Sequence, residues 1–239
     1  MSPTQPADAA APVKDPPLLI AFRVLATIVG ILLVLFILVA GVWNRAMLTV
    51  YLASAAVSLS FVLGASLGIL AATNDRFSAF IRPINDTLQT MPLFVFLIPV
   101  IMLFLVGEFS ALLAIIMYAI VPSIRYTEFG LRNVDAEVVE AAESMGCTRG
   151  QILRQVKLPL ALPEIMLGLN QTVMYGLAML VITALIGTKG LGQLTLESVT
   201  KANFGTGVIA GGGMALIAMI TDRIIQAWSN RKKQELGLT

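Results

Sequence analysis

From residue 18 onward, apolar runs of about 18 to 26 residues follow one another, separated by polar breaks that are mostly short. Each run is long enough to cross the hydrocarbon core of a bilayer, which takes roughly 20 residues of helix. Little else is open to such a chain. Charged residues make up 13% of it and hydrophobic residues 57%, where globular domains carry roughly 25% charged residues, so it cannot clothe itself in a soluble surface. Mean hydropathy is +0.87. The expected class is an all-α polytopic membrane protein, and 239 residues leave room for about six transmembrane helices with short loops.

In order, residues 1–17 are rich in Pro and Ala and read as a disordered tail. Residues 18–43 form an N-terminal transmembrane helix, with Trp43 suited to the interface. A core domain is expected over residues 48–228, followed by a basic tail at 229–239. Its first span, 48–72, is rich in small residues. Gly64 and Gly68 there either allow close helix approach or reflect the commonness of glycine in membrane helices. A short amphipathic piece around residues 77–84 precedes a span beginning near Asp86. Pro92 and Pro99, seven residues apart, should kink or break that span. Gln89 and Thr90 lie just before the first kink, where they either border a pathway or sit at the interface.

The next spans are expected at 109–126, 162–186 and 205–228. Glu164 lies at the mouth of the middle one, with Asn170, Gln171, Thr172 and Tyr175 inside it. Buried amides in lipid either bridge helices or line a route for solute. Gly207, Gly211, Gly212 and Gly213 give the last span a face made for tight packing.

Several chemistries are excluded. There is no histidine, which removes Ser-His and Cys-His catalysis and His-ligated zinc. The single cysteine, Cys147, can form neither an internal disulfide nor a metal site, and reads as a small filler. Gly187, Gly190 and Gly192 have the wrong spacing for a Walker A loop and follow a membrane helix, so they read as a re-entrant or external turn. No catalytic residues, metal ligands or cofactor are assigned to the chain. A net charge of +2 gives no reason to expect nucleic acid.

Residues 135–163 interrupt the apolar pattern. Asp135 can N-cap a short helix with Glu137 in its first turn. Gly146 supplies the left-handed position that ends it. Thr148 and Gln151 make a capping box for a second helix, residues 152–157, expected to stop before Leu158 and Pro159. The result is a polar hairpin, 135–159, inside a membrane protein. With the N-terminus placed inside, thirteen of the sixteen Lys and Arg fall on the inner side and only Arg45, Lys189 and Lys201 on the outer. The positive-inside rule therefore puts both termini and the hairpin in the cytoplasm.

Glu140-Ala141-Ala142, then Gly146, then Val156-Lys157-Leu158-Pro159 resembles the EAA loop of bacterial ABC importer permeases, with Val156 where that family usually has Ile. Further stretches carry the resemblance from about residue 50 to 228: Gln89-Thr90-Met91-Pro92, Phe96 to Pro99, Leu158 to Pro163, Gly168 to Thr172, and Gly190-Leu191-Gly192-Gln193. They are similar to the permeases of glycine betaine/proline (quaternary amine) importers, although Ala141-Ala142 stands where those have Ala-Ser.

The resemblance implies a type I ABC importer permease fold with a cytoplasmic coupling helix, in the bacterial inner membrane. Glu140, Ala141, Ala142, Gly146, Val156, Leu158 and Pro159 would then couple to the ATPase. Gln89, Thr90, Pro92, Pro99, Asn170, Gln171 and Thr172 are the candidates for the substrate path. Implied partners are two ABC ATPase subunits, which bind ATP and Mg, a second and identical permease subunit, an extracytoplasmic solute-binding protein, and membrane lipid. The cargo would be glycine betaine, choline, proline betaine or a similar quaternary amine. The alternatives are an importer for an amino acid, a sulfonate or trimethylamine oxide, and a passive channel.

Overall fold

The structure is a computed structural model that describes residue 31 and residues 34–235, with side chains to residue 233. The expected tail 1–17, most of the expected first span and residues 236–239 lie outside the described residues. All regular elements among the described residues are helices. After a helical segment at 34–39 come α1 (Trp43–Thr73), α2 (Asp75–Thr90), α3 (Leu93–Phe104), α4 (Glu108–Arg132) and α5 (Ala136–Ser144). Then follow α6 (Arg149–Ile186), α7 (Leu191–Thr200) and α8 (Phe204–Glu235). Four of these, α1, α4, α6 and α8, are long and apolar enough to cross a membrane, and α2 with α3 makes a fifth if the bent pair counts as one span.

The bundle is built on α4, which packs most extensively against α1 on one side and α6 on the other. Lipid tails give apolar helices no hydrophobic reason to associate, so the gain must come from close packing. Glycine provides it. A Cβ on Gly64 would lie 2.6 Å from Ser123 Cβ, and one on Gly68 would lie 2.7 Å from Thr127 Cβ. The pair therefore serves close approach of α1 to α4. Ala46, Ala56, Ala111, Ala114 and Ile115 are fully buried around this seam.

Several boundaries differ from the sequence expectation. The break before α1 falls at Gly41, whose φ is +69°, so Trp43 starts a helix instead of ending one. No boundary exists at Asp86. Asn74 caps a single helix, accepting from Arg76 N at 3.0 Å and Phe77 N at 3.3 Å, and that helix continues past Pro83 to Thr90. The chain then turns by 103° between α2 and α3. Met91 adopts an extended ψ of 134°, as a residue before proline prefers. Pro99 lies within α3, and Pro122 and Pro163 also lie inside helices. The glycine face of α8 is only partly used. Gly213 faces Leu191 and Gly207 faces Ser198, but nothing lies within 4 Å of a Cβ on Gly211.

Candidate coupling site and solute path

The hairpin begins as its sequence requires. Asp135 accepts from Glu137 N at 3.0 Å. At the other end of α5, Cys147 N donates to Ala142 O at 3.2 Å and Gly146 N to Glu143 O at 2.9 Å. With Gly146 at φ +81°, these two bonds make a Schellman cap. Thr148 and Gln151 then close a capping box: Thr148 N donates to Gln151 Oε1 at 2.8 Å, and Gln151 N to Thr148 Oγ1 at 3.4 Å.

The second arm does not stop at Lys157. Residues Ile152–Lys157 take a π-helical register and run without a break into Leu158–Thr183. Leu158 N donates to Leu153 O, five residues back. Pro159 has no amide hydrogen to give, and it sits where the wide register returns to α. The polar arm and the membrane helix are one 38-residue element.

Among the motif residues, Glu140, Ala141 and Gly146 are exposed, Ala142 is buried, and Val156, Leu158 and Pro159 are partly buried at the root. The outer face also shows apolar side chains. Met145 is 78% exposed and Val138 42%. At the root, Leu131, Ala161, Ile165 and Met166 form a small core of their own, joined by Val134, Leu153 and Leu158.

A charged cluster braces the same root. Glu128, on the last turns of α4, accepts from Ser78 Oγ at 2.5 Å, from Arg82 at 2.9 Å and from Arg132 Nε at 3.1 Å. Arg132 also donates to Ala71 O and to Asp75 Oδ1, each at 2.8 Å. Three helices, α1, α2 and α4, are thereby clamped three residues before the hairpin's cap. Glu128 and Arg132 are two of the few charged residues that follow the apolar run of α4 in the sequence. Their i, i+4 spacing was visible, but Ser78 and Arg82 were not foreseeable as partners.

The path candidates separate into groups. Gln89 accepts from Arg125, which also lies 3.7 Å from Asp86. Thr90 is exposed and donates to Thr87 O. Pro92 marks the 103° bend and Pro99 lies exposed on α3. Asn170 Nδ2 donates to Asp222 Oδ1 at 2.8 Å, bridging α6 to α8. Thr172 is fully buried and donates to Gly168 O. Gln171 points elsewhere: it is partly exposed and lies one helical turn before Tyr175.

The glycine-rich run after α6 has a packing role. Gly187 is left-handed at φ +82°. A Cβ on Gly190 would lie 2.6 Å from Thr49 Oγ1, and that same oxygen accepts from Leu191 N at 2.9 Å. The run docks α7 onto the start of α1. Thr49 had not been singled out from the sequence, since nothing local distinguishes it.

A helical bundle built for lipid, with a capped polar hairpin in rigid continuity with one membrane helix, has the architecture of an ABC importer permease. The chain belongs to the family of binding-protein-dependent transport system inner membrane components, whose sequence pattern matches residues 64–234. It is 41% identical over 207 residues to the trimethylamine N-oxide transport system permease protein TmoV of Pelagibacter ubique, covering 86% of this chain and 29% of that one. It is 41% identical over 187 residues to the glycine betaine/proline betaine transport system permease protein ProW of Escherichia coli, covering 78% and 53%. To the glycine betaine transport system permease protein OpuAB of Bacillus subtilis it is 38% identical over 209 residues, covering 87% and 73%. The chain thus spans only about a third to a half of the length of the first two relatives. In fold it matches a chain of the MetNI methionine ABC transporter, solved in inward facing conformations, with a TM-score of 0.66 at 21% identity, over 79% of this chain and 92% of that one.

Proposed function

We propose that this chain is the membrane-spanning half of an ATP-driven importer that carries glycine betaine or a similar quaternary amine into the cell. The continuity of the hairpin's second arm with α6 is the observation that carries the reading. A hairpin joined to the bundle by a flexible link would absorb a push. One fused to a membrane helix and braced by Glu128 and Arg132 passes it on.

In this reading two ATPase subunits hold ATP and Mg, and each seats one hairpin through Glu140, Ala141, Met145 and Gly146. Closure of the ATPase pair moves the hairpins, and the two permease copies rock as rigid bodies between inward- and outward-facing states. The 103° break at Pro92 lets α3 move apart from α2. A solute-binding protein delivers cargo from outside, and both termini stay in the cytoplasm, as the Lys and Arg distribution favours. The likeness to TmoV at 41% identity supports a second reading, in which the cargo is trimethylamine N-oxide.

The test is uptake of labelled glycine betaine into proteoliposomes that hold this chain, its ATPase and its binding protein, with and without ATP. Saturable, ATP-dependent uptake competed by choline supports the reading. Uptake of trimethylamine N-oxide alone moves the cargo to the second reading, and flux independent of ATP overturns both in favour of a channel.

A further inference from the structure

Midway along the bundle, three aromatic rings meet. Tyr118 of α4 and Tyr175 of α6 stack with centroids 4.9 Å apart and planes 23° apart. Phe96 of α3 stands edge-on to Tyr118 at 5.5 Å and 68°. Phe96 is 1% exposed, whereas both tyrosines and Gln171 are partly exposed. At about 1.5 Å per residue, Tyr118 lies roughly 20 Å from the Arg132 end of α4 and Tyr175 roughly 25 Å from Leu158. Both are therefore deep in the hydrocarbon layer.

Among the described residues, neither phenolic oxygen nor the Gln171 amide has a hydrogen-bond partner. Polar groups at this depth need a partner or a wet cavity. Three of them on adjoining turns of α4 and α6 mark this surface as one that meets water or solute, unlike the neighbouring Asn170, whose amide nitrogen is paired with Asp222 although its Oδ1 is not.

The chemistry on offer is narrow. Ring faces carry negative potential, and phenol and amide oxygens accept hydrogen bonds. No charged side chain occurs between Glu108 and Arg125 or between Glu164 and Lys189. A metal cation would lack enough oxygen ligands here, and a primary ammonium would want a carboxylate. A fully methylated nitrogen has no N–H to satisfy and is held by aromatic faces. With no carboxylate on these stretches of α4 and α6 to trap it, the ion leaves readily, as passage requires.

We infer that the outward ring face of the stacked Tyr118–Tyr175 pair, with Phe96 edge-on against Tyr118, is a cation–π subsite for the methylated nitrogen of the solute on its way through the membrane; the two facing ring surfaces cover each other and take no part. This rests on the proposed import of N-methylated solutes. Glycine betaine and trimethylamine N-oxide share the trimethylated nitrogen and differ in the rest, so one subsite serves either cargo.

The test uses the complete reconstituted importer and reads solute uptake alongside ATP hydrolysis stimulated by the loaded binding protein. Tyr118→Leu and Tyr175→Leu should each lower glycine betaine uptake, by about tenfold where the site is desolvated, while stimulated hydrolysis persists. Tyr118→Phe and Tyr175→Phe keep the ring and should retain most uptake. Unchanged uptake in both Leu variants overturns the subsite, as does a parallel fall of hydrolysis and uptake, which marks a merely structural role. Lack of quaternary-amine uptake by the unaltered importer overturns the underlying cargo reading instead.

Discussion

Asn170 Nδ2 donates to Asp222 Oδ1 at 2.8 Å, and this bond ties the middle of α6 to α8. Asp222 Oδ1 also accepts from Gln226 at 2.7 Å. Asn170→Ala and Asp222→Ala should each destabilise the detergent-solubilised protein. A double-mutant cycle on thermal unfolding should return a coupling of about 1 kcal/mol, in the range of interhelical polar contacts in membranes. Strictly additive losses would mean the bond contributes nothing.

Glu128 should be the most sensitive charged residue. Its side chain is 7% exposed and that of Arg82 is 59% exposed. Glu128→Ala leaves Arg132 short of a buried partner and should cost about 3 kcal/mol. Arg82→Ala removes a solvated partner and should cost about 1 kcal/mol or less. Denaturation of the solubilised variants checks the order, and equal losses would contradict the brace.

Glycines of the same sequence should respond in opposite ways. Gly64→Ala and Gly68→Ala drive a methyl into Ser123 and Thr127 and should cost about 1–3 kcal/mol each by overpacking. Gly211 has open space, so Gly211→Ala should be neutral or stabilising by up to about 1 kcal/mol. Thermal stability of the three variants is the check.

Gly146→Val tests the hairpin. No atom lies within 4 Å of a Cβ there, but φ is +81°, so the penalty is about 1–2 kcal/mol of local backbone strain. The bundle should melt almost unchanged while ATP hydrolysed per solute imported rises severalfold. Gly146→Asn, which tolerates the left-handed region, should stay near the unaltered ratio. An unchanged ratio in Gly146→Val would remove the residue from the coupling contact.

Local features were legible in the sequence because they depend on near neighbours. Asp135, Gly146, Thr148 and Gln151 each act within six residues, and each does what its type and spacing require. Prolines were less legible. Met91 before Pro92 turns extended, while Leu158 before Pro159 stays helical at ψ −46°. A proline's own sequence does not reveal whether a wider turn upstream can absorb it. Contacts across 50 residues, such as Ser78 with Glu128, and the meeting of Tyr118 with Tyr175 depend on the packing of whole helices.

Whether the hairpin seats on an ATPase is open to site-directed cross-linking. A photoreactive residue at Met145, exposed on the outer face, should link this chain to the ATPase in the assembled complex, and ATP should change the yield. Cross-links to lipid alone, with none to the ATPase, would contradict the account.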